Sequence, residues 1–178
     1  REQDPTQAQL IESNEAALNM VVDHLSHGES KAVYKNTTLD LRRYKRLEMF
    51  VHANAFAQNA TALTDNELAV FIRLGSDYRN NYYEYQIPLR LTPAGRYHLN
   101  VPADRQAVWP IENMLDIPLS VFTDLKRQRN IAKAQGLASF TRAYSDYDAA
   151  NPGNLRTIMG NPSLGEVRTQ GTERGYSL

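Results

Sequence analysis

The sequence predicts a mainly β domain, a jelly-roll-like β-sandwich that carries one substantial helix. Two patterns lead to this prediction. Apolar and polar residues alternate with a period of two in several separate stretches, which is the pattern of strands with one buried face. One later stretch instead carries an apolar stripe at helical spacing. The chain has 178 residues, of which 42% are hydrophobic, enough for two packed sheets around a real core.

The first predicted hairpin has Leu18, Met20 and Val22 on one face, a turn at 26–29 and a returning strand at 31–36. Further alternating strands follow at 46–53, 68–74 and 82–91. Pro88 lies inside the last of these and cannot donate a ladder hydrogen bond, so we expect this strand to be bulged or at a sheet edge. We expect the following apolar residues to form the core: Leu47, Met49, Val51, Val70, Ile72, Leu74, Ile87 and Leu89.

The predicted helix spans residues 118–135, with Leu119, Phe122 and Leu125 in its apolar stripe. Asp116 is a candidate N-cap, because its carboxylate can accept from free N–H groups of the first turn. Gly136 is a plausible helix end.

The strand signal weakens after residue 139, and only a short strand at 157–159 is predicted there. The resulting domain organisation is a polar lead-in at 1–15, a β-sandwich domain at 16–169 and a flexible or divergent tail at 170–178.

Composition excludes several classes of function. Twenty basic and 20 acidic residues balance, so nothing draws the whole chain to nucleic acid or to an anionic membrane. The absence of cysteine excludes disulfides and thiolate chemistry. No apolar stretch approaches the roughly 20 residues of a membrane-spanning helix. The chain starts at Arg1 and not at Met, so we expect its N-terminus to be processed or to be a boundary within a longer protein.

No catalytic or cofactor-binding group emerges from the sequence. His24 and His27 have a spacing that aligns metal ligands on a helix, but they fall at a predicted strand end and turn. The scattered aspartates form no Asp-x-Asp-x-Asp run of the kind that binds calcium, although a structural calcium ion stays an open alternative. We therefore expect a domain that is not an enzyme and that has no cofactor.

Two sets of residues are candidates for binding. Basic clusters contain Arg42, Arg43, Arg127 and Arg129. Such clusters are usually solvated or paired, but arginine also suits docking to a partner protein. Tyr82 and Trp109 are candidate sugar-stacking residues under an alternative interpretation, because aromatic rings can stack on sugars.

Five stretches in order resemble one known family, the SprA/Sov family, the outer-membrane translocon of the type IX secretion system of Bacteroidetes. The stretches are LDLRRYKRLEMFVHA (39–53), LAVFIRLGSD (68–77), NYYEYQIPLRLTP (81–93), VWPIENMLDIP (108–118) and GNPSLGEVR (160–168). The resemblance covers roughly residues 14–169, and it stops where the family continues with an apolar strand.

The resemblance implies a soluble fragment of a very large β-barrel protein that exports cargo and supports gliding motility. The implied location is the cell envelope, in association with the outer membrane, on its periplasmic or extracellular side. The implied partners are the rest of the parent barrel, outer-membrane and periplasmic components of the secretion system, and cargo proteins. The alternative is a glycan-binding domain of a cell-surface protein, similar to a carbohydrate-binding module.

Overall fold

The structure, a computed structural model, describes residues 17–22, 24–35, 38–55, 63–165, 167–168 and 173–177. Within these residues the α-helices are α1 (Pro102–Val108) and α2 (Ser120–Ala134). Two short 3₁₀ helices lie at Leu41–Arg43 and Ile111–Asn113. The strands are β1 (Ser30–Val33), β2 (Thr38–Leu39), β3 (Arg46–Phe50), β4 (Ala69–Asp77), β5 (Asn81–Pro88), β6 (Met114–Pro118), β7 (Tyr144–Asp148), β8 (Asn151–Met159), β9 (Val167–Arg168) and β10 (Glu173–Ser177).

Most strands belong to one antiparallel sheet of six, in the order β1-β10-β4-β5-β8-β7. Two-stranded ribbons pair β3 with β6 and β2 with β9. The prediction of a mainly β fold with one substantial helix is confirmed. The polar lead-in predicted at 1–15 lies outside the described residues.

The core lies against one face of the six-stranded sheet. Its central strands β4 and β5 place Ile72 opposite Tyr85 and Leu74 opposite Tyr83, and all four side chains are buried. The alternation of apolar and polar residues in the sequence therefore correctly predicts which face of the sheet is buried. Of the eight predicted core residues, six are buried, and Leu47 and Met49 are partly buried against the same cluster.

Helix α2 and the β3–β6 ribbon cover this core. The Phe122 ring lies 5.3 Å from the Tyr83 ring and 6.4 Å from the Tyr85 ring. Leu115 and Ile117 of β6 are fully buried in the same cluster. The predicted stripe of α2 is thus the helix face that packs on the sheet, as an amphipathic helix does.

The start of α2 differs from the prediction. Asp116 does not cap the helix, because it lies in β6 and its carboxylate accepts from Arg46 of β3. The N-cap is Leu119, which makes no side-chain capping bond; its N–H donates to the Lys45 carbonyl. The ribbon continues through Pro118 and so displaces the helix start. The predicted end is confirmed, with Gly136 at φ +75° just after the helix.

The prediction that β5 is at a sheet edge or is bulged at Pro88 is wrong, since β5 lies between β4 and β8 and Pro88 pairs in register with Ala69. Pro88 is tolerated because it is the last residue of β5, beyond the segment 82–86 that pairs with β8. The irregularity in the β4–β5 pairing lies instead at the other end, between Gly75 and Asp77.

Several elements differ from the sequence pattern. Residues 17–22 have no regular structure, so the strand predicted from Leu18, Met20 and Val22 is wrong over these residues. Its predicted neighbour, β1, pairs with β10 instead. Strand β7, most of β8 and β10 were not predicted, because they carry no regular apolar alternation. Helix α1 was not predicted either; it has no buried residue and hence no apolar stripe.

Candidate interaction surfaces

A buried polar network joins β5 to the β7–β8 turn. The Tyr85 hydroxyl donates to Asp148 Oδ2 at 2.7 Å and accepts from Asn154 Nδ2 at 3.1 Å. Burial alone would raise the pKa of Asp148, but hydrogen bonds from Tyr85, Asn151 and the Ala150 N–H hold that pKa below its usual value. Burial, with the adjacent Asp148 carboxylate, raises the pKa of Tyr85 to about 12. The network therefore holds one fixed charge near neutral pH and stabilises the fold.

Arg129 is fully buried, so the prediction that it is an exposed docking residue is wrong. Its guanidinium donates to the Gly160 carbonyl and to Asn130 Oδ1, the latter from Nε at 3.3 Å. The same group lies 4.6 Å from the centre of the Phe140 ring. Burial lowers the pKa of Arg129. Arg129 lies on the inner side of α2 and is therefore a structural residue. A cluster of basic residues in the sequence does not show which of them are buried.

Arg42 and Arg43 occupy the 3₁₀ helix before β3, and both are exposed. Arg42 forms a two-pronged contact with Asp40, with Nε–Oδ1 at 3.0 Å and Nη2–Oδ2 at 2.8 Å. These hydrogen bonds hold the pKa of Asp40 below its usual value. The Arg42 side chain is still 67% exposed, so the pair leaves it accessible to a partner.

Arg127 lies on the solvent side of α2. Its side chain is 66% exposed, and its nearest carboxylate, Asp124, is 3.8 Å away one turn earlier. An exposed pair of this kind contributes little to stability. Arg42, Arg43 and Arg127 thus stay candidates for docking, and Arg129 does not.

The two candidate sugar-stacking residues do not share a site. The Arg73 guanidinium lies 3.9 Å from the centre of the Tyr82 ring, so one face of this ring is occupied. Tyr82 is near the start of β5, whereas Trp109 directly follows α1, and the Ala107 carbonyl of α1 accepts from the Thr92 hydroxyl, beyond the end of β5. Six residues of strand from 82 to 88 span about 20 Å, so no single sugar ring reaches both.

Trp109 by itself belongs to an exposed aromatic group. It is 46% exposed, and its ring lies 6.2 Å from Phe50 and 5.6 Å from His52. Phe50 is 52% exposed. The ring of Trp109 therefore remains available on the surface beside the β3–β6 ribbon.

A further apolar surface, which the sequence did not predict, lies at the end of α2. Ile131, Leu137 and Phe140 are exposed there, and Tyr147 is exposed on the edge strand β7. A cleft of about 260 Å³ runs along residues 136–139 and 142–144 beside them. No periodic signal marks these residues, because three of them belong to a helix end and a loop.

His27 lies within the first turn, and His24, three residues earlier, has a left-handed backbone at φ 54°. Across the described ranges, no three His, Cys, Asp or Glu side chains come together in a way that could hold a metal ion. Within the same ranges, none of the helices has both the length and the apolar character needed to cross a membrane.

Comparison with known proteins places the chain in a family. No curated protein matches it significantly. The SprA_N family, described as motility related/secretion protein, matches residues 1–174. This match covers nearly the whole chain and confirms the resemblance to the SprA/Sov family. The chain therefore belongs to the SprA_N family of motility- and secretion-related proteins.

Proposed function

We propose that this domain is a structural and interaction domain of an outer-membrane protein-secretion translocon, the type IX system that also serves gliding motility. It acts by contact and catalyses nothing. Its place is the cell envelope, in association with the outer membrane. Its partners are the rest of the parent barrel, neighbouring secretion components and cargo proteins.

The observation that carries the proposal is the family match over residues 1–174 to a motility- and secretion-related protein. The surface is compatible with a contact role. Exposed arginines at Arg42, Arg43 and Arg127 offer planar groups that make several hydrogen bonds at once. The buried polar groups around Asp148 are already bonded to one another, which leaves them no free acid or base to offer a substrate.

Deletion of residues 16–169 from the parent protein tests this function. We expect cargo export to stop while the barrel still inserts, and insertion is to be measured in parallel by heat-modifiable migration and surface labelling. A control strain carries the intact domain with Arg96→Glu, a substitution at an exposed position that is not among the proposed docking residues. Normal export from a correctly inserted deletion protein would exclude an essential role.

Glycan binding is the second candidate, and the exposed ring of Trp109 beside Phe50 is the observation that favours it. A glycan array with the chain should then show one selective ligand, with binding abolished by Trp109→Ala. Tyr82→Ala is the matched control, because this ring lies at the other end of β5. Loss of binding in both variants would contradict a site at Trp109.

A further inference from the structure

Two basic clusters that lie about 80 residues apart in sequence meet at the same loop, residues 162–165. The Leu41 N–H donates to the Leu164 carbonyl at 2.9 Å. Arg42 lies so close to Gly165 that an added Cβ would meet its guanidinium carbon at 2.4 Å. At the other end of the loop, Lys126 Nζ of α2 donates to the Pro162 carbonyl at 2.6 Å.

The loop is short enough to keep the two clusters close together. Three residues of chain, from 162 to 165, span at most about 10 Å. A second link supports this, since the Lys45 carbonyl accepts from Leu119 N–H at the start of α2. We call the group that results the basic surface, and it consists of Arg42, Arg43, Lys45, Lys126 and Arg127.

The basic surface has an excess of positive charge. Asp40 pairs with Arg42, and Asp124 lies near Arg127. Within the described part of the chain, the side chains of Arg43 and Lys45 make no hydrogen bond or ion pair. In a chain whose charges balance overall, this local excess is the feature that a partner of opposite charge would complement.

We propose that the basic surface docks an acidic, carboxylate-rich segment of a partner protein. The inference rests on the proposed function and names the chemistry of one of its partners. Three of the five cations are arginines, whose fork matches a carboxylate. Tyr44, between Arg43 and Lys45, is 53% exposed. Arginine and tyrosine are enriched at protein interfaces, which favours a polypeptide over a lipid surface.

Binding of the full 178-residue chain to a poly-glutamate peptide tests the inference, with poly-glutamine as the uncharged probe. The variant is Arg43→Glu with Lys45→Glu. The matched control is Arg96→Glu with Arg142→Glu, which changes the net charge by the same amount at two exposed loop positions. Thermal unfolding of each variant checks that it is folded. The milder pair Arg43→Gln with Lys45→Gln replaces the first variant if it does not fold.

We expect poly-glutamate to bind and poly-glutamine not to bind. Affinity should fall at least about tenfold in the Arg43 and Lys45 variant and at most about twofold in the control, with all binding weakened by salt. Equal losses in the two variants would overturn the inference, because net charge alone would then explain binding. Failure of the wild-type chain to bind poly-glutamate would also overturn it.

Binding of the chain to phosphatidylglycerol vesicles is measured as well, to test whether the basic surface contacts a lipid membrane. Vesicle binding that depends on Arg43 and Lys45, without peptide binding, would overturn the proposal in favour of a membrane contact. The peptide-binding result can be distinguished from the result of the export experiment that tests the proposed function. Export blocked by the domain deletion, together with no poly-glutamate binding, contradicts only the basic surface. Normal export from the deletion protein contradicts the proposed function, whether or not the chain binds poly-glutamate.

Discussion

Replacing Tyr85 by Phe removes one hydroxyl from the buried network and should destabilise the protein clearly. Tyr85 is 1% exposed, and its hydroxyl donates to Asp148 Oδ2 at 2.7 Å. The substitution leaves the carboxylate with one donor fewer and leaves Asn154 Nδ2 without its acceptor. A buried hydrogen bond to a charged group contributes about 1.5–3 kcal/mol to stability. For a chain of this size, that corresponds to a fall in Tm of about 3–12 °C.

Replacing two other tyrosines by Phe removes the same hydroxyl group in different surroundings and so provides matched comparisons. The Tyr83 hydroxyl donates to the neutral carbonyl of Pro162 at 3.1 Å, so Tyr83→Phe should cost about 1 kcal/mol. Tyr147 is 60% exposed, and within the described ranges its hydroxyl has no hydrogen-bond partner. Tyr147→Phe should therefore change stability by less than about 0.5 kcal/mol.

The cost of Tyr85→Phe should depend on pH. The folded-state pKa of Asp148 is lowered from 3.8, so the ionised carboxylate stabilises the folded state above the unfolded pKa. That contribution is lost as the pH falls through the folded pKa. The pKa of Tyr85, about 12, keeps this hydroxyl protonated throughout. The difference between wild type and variant should thus be constant at neutral pH and shrink below about pH 4.

Urea unfolding of the three variants, at neutral pH and in the acid range, measures both effects. The reasoning is refuted if Tyr85→Phe costs no more than Tyr147→Phe. It is also refuted if the cost of Tyr85→Phe is the same at acid and neutral pH, because the hydrogen bond to ionised Asp148 could not then be its source.

Further substitutions test the core, a close backbone approach and an exposed ion pair. Ile72→Ala, at a site that is 2% exposed, should cost about 2–5 kcal/mol in urea unfolding, and a loss under about 0.5 kcal/mol would contradict its place in the core. Gly160→Ala should destabilise more than Gly28→Ala. Both have positive φ, but an added Cβ would lie 2.0 Å from a backbone oxygen at Gly160 and meets nothing within 4 Å at Gly28; equal melting temperatures would contradict this packing. Asp116→Ala should cost less than about 1 kcal/mol and less still in high salt, because it removes an exposed pair with Arg46; a salt-independent loss would argue for another role.

The sequence by itself determined the central strands and the main helix. In β4 and β5 the apolar alternation marks the face that carries Ile72 and Tyr85, because side chains of a strand point alternately to opposite sides. In α2 the spacing of Phe122 and Leu125 marks the face that packs on the sheet. Five stretches that resemble the SprA/Sov family also indicated the family from the sequence alone, since a likeness of long stretches in the same order does not depend on how the chain folds.

Strands at the sheet edges were harder to predict, because pairing and not burial defines them. β7 has mostly exposed side chains and no apolar alternation, yet it pairs with β8 over most of its length. In the same way, β1 is recognisable as a strand but its partner is not, since its hydrogen bonds go to β10, more than 140 residues later.

Only the tertiary structure decided which charges are buried and which surfaces form. Arg127 and Arg129 are two residues apart in one basic run, but α2 turns about 200° between them, so one is exposed and the other is buried. Arg42 and Lys126 are far apart in the sequence, but both contact the loop at residues 162–165. The sequence gives the number of basic residues. Which of them are buried, and which lie close together, depends on packing between elements that are distant in sequence.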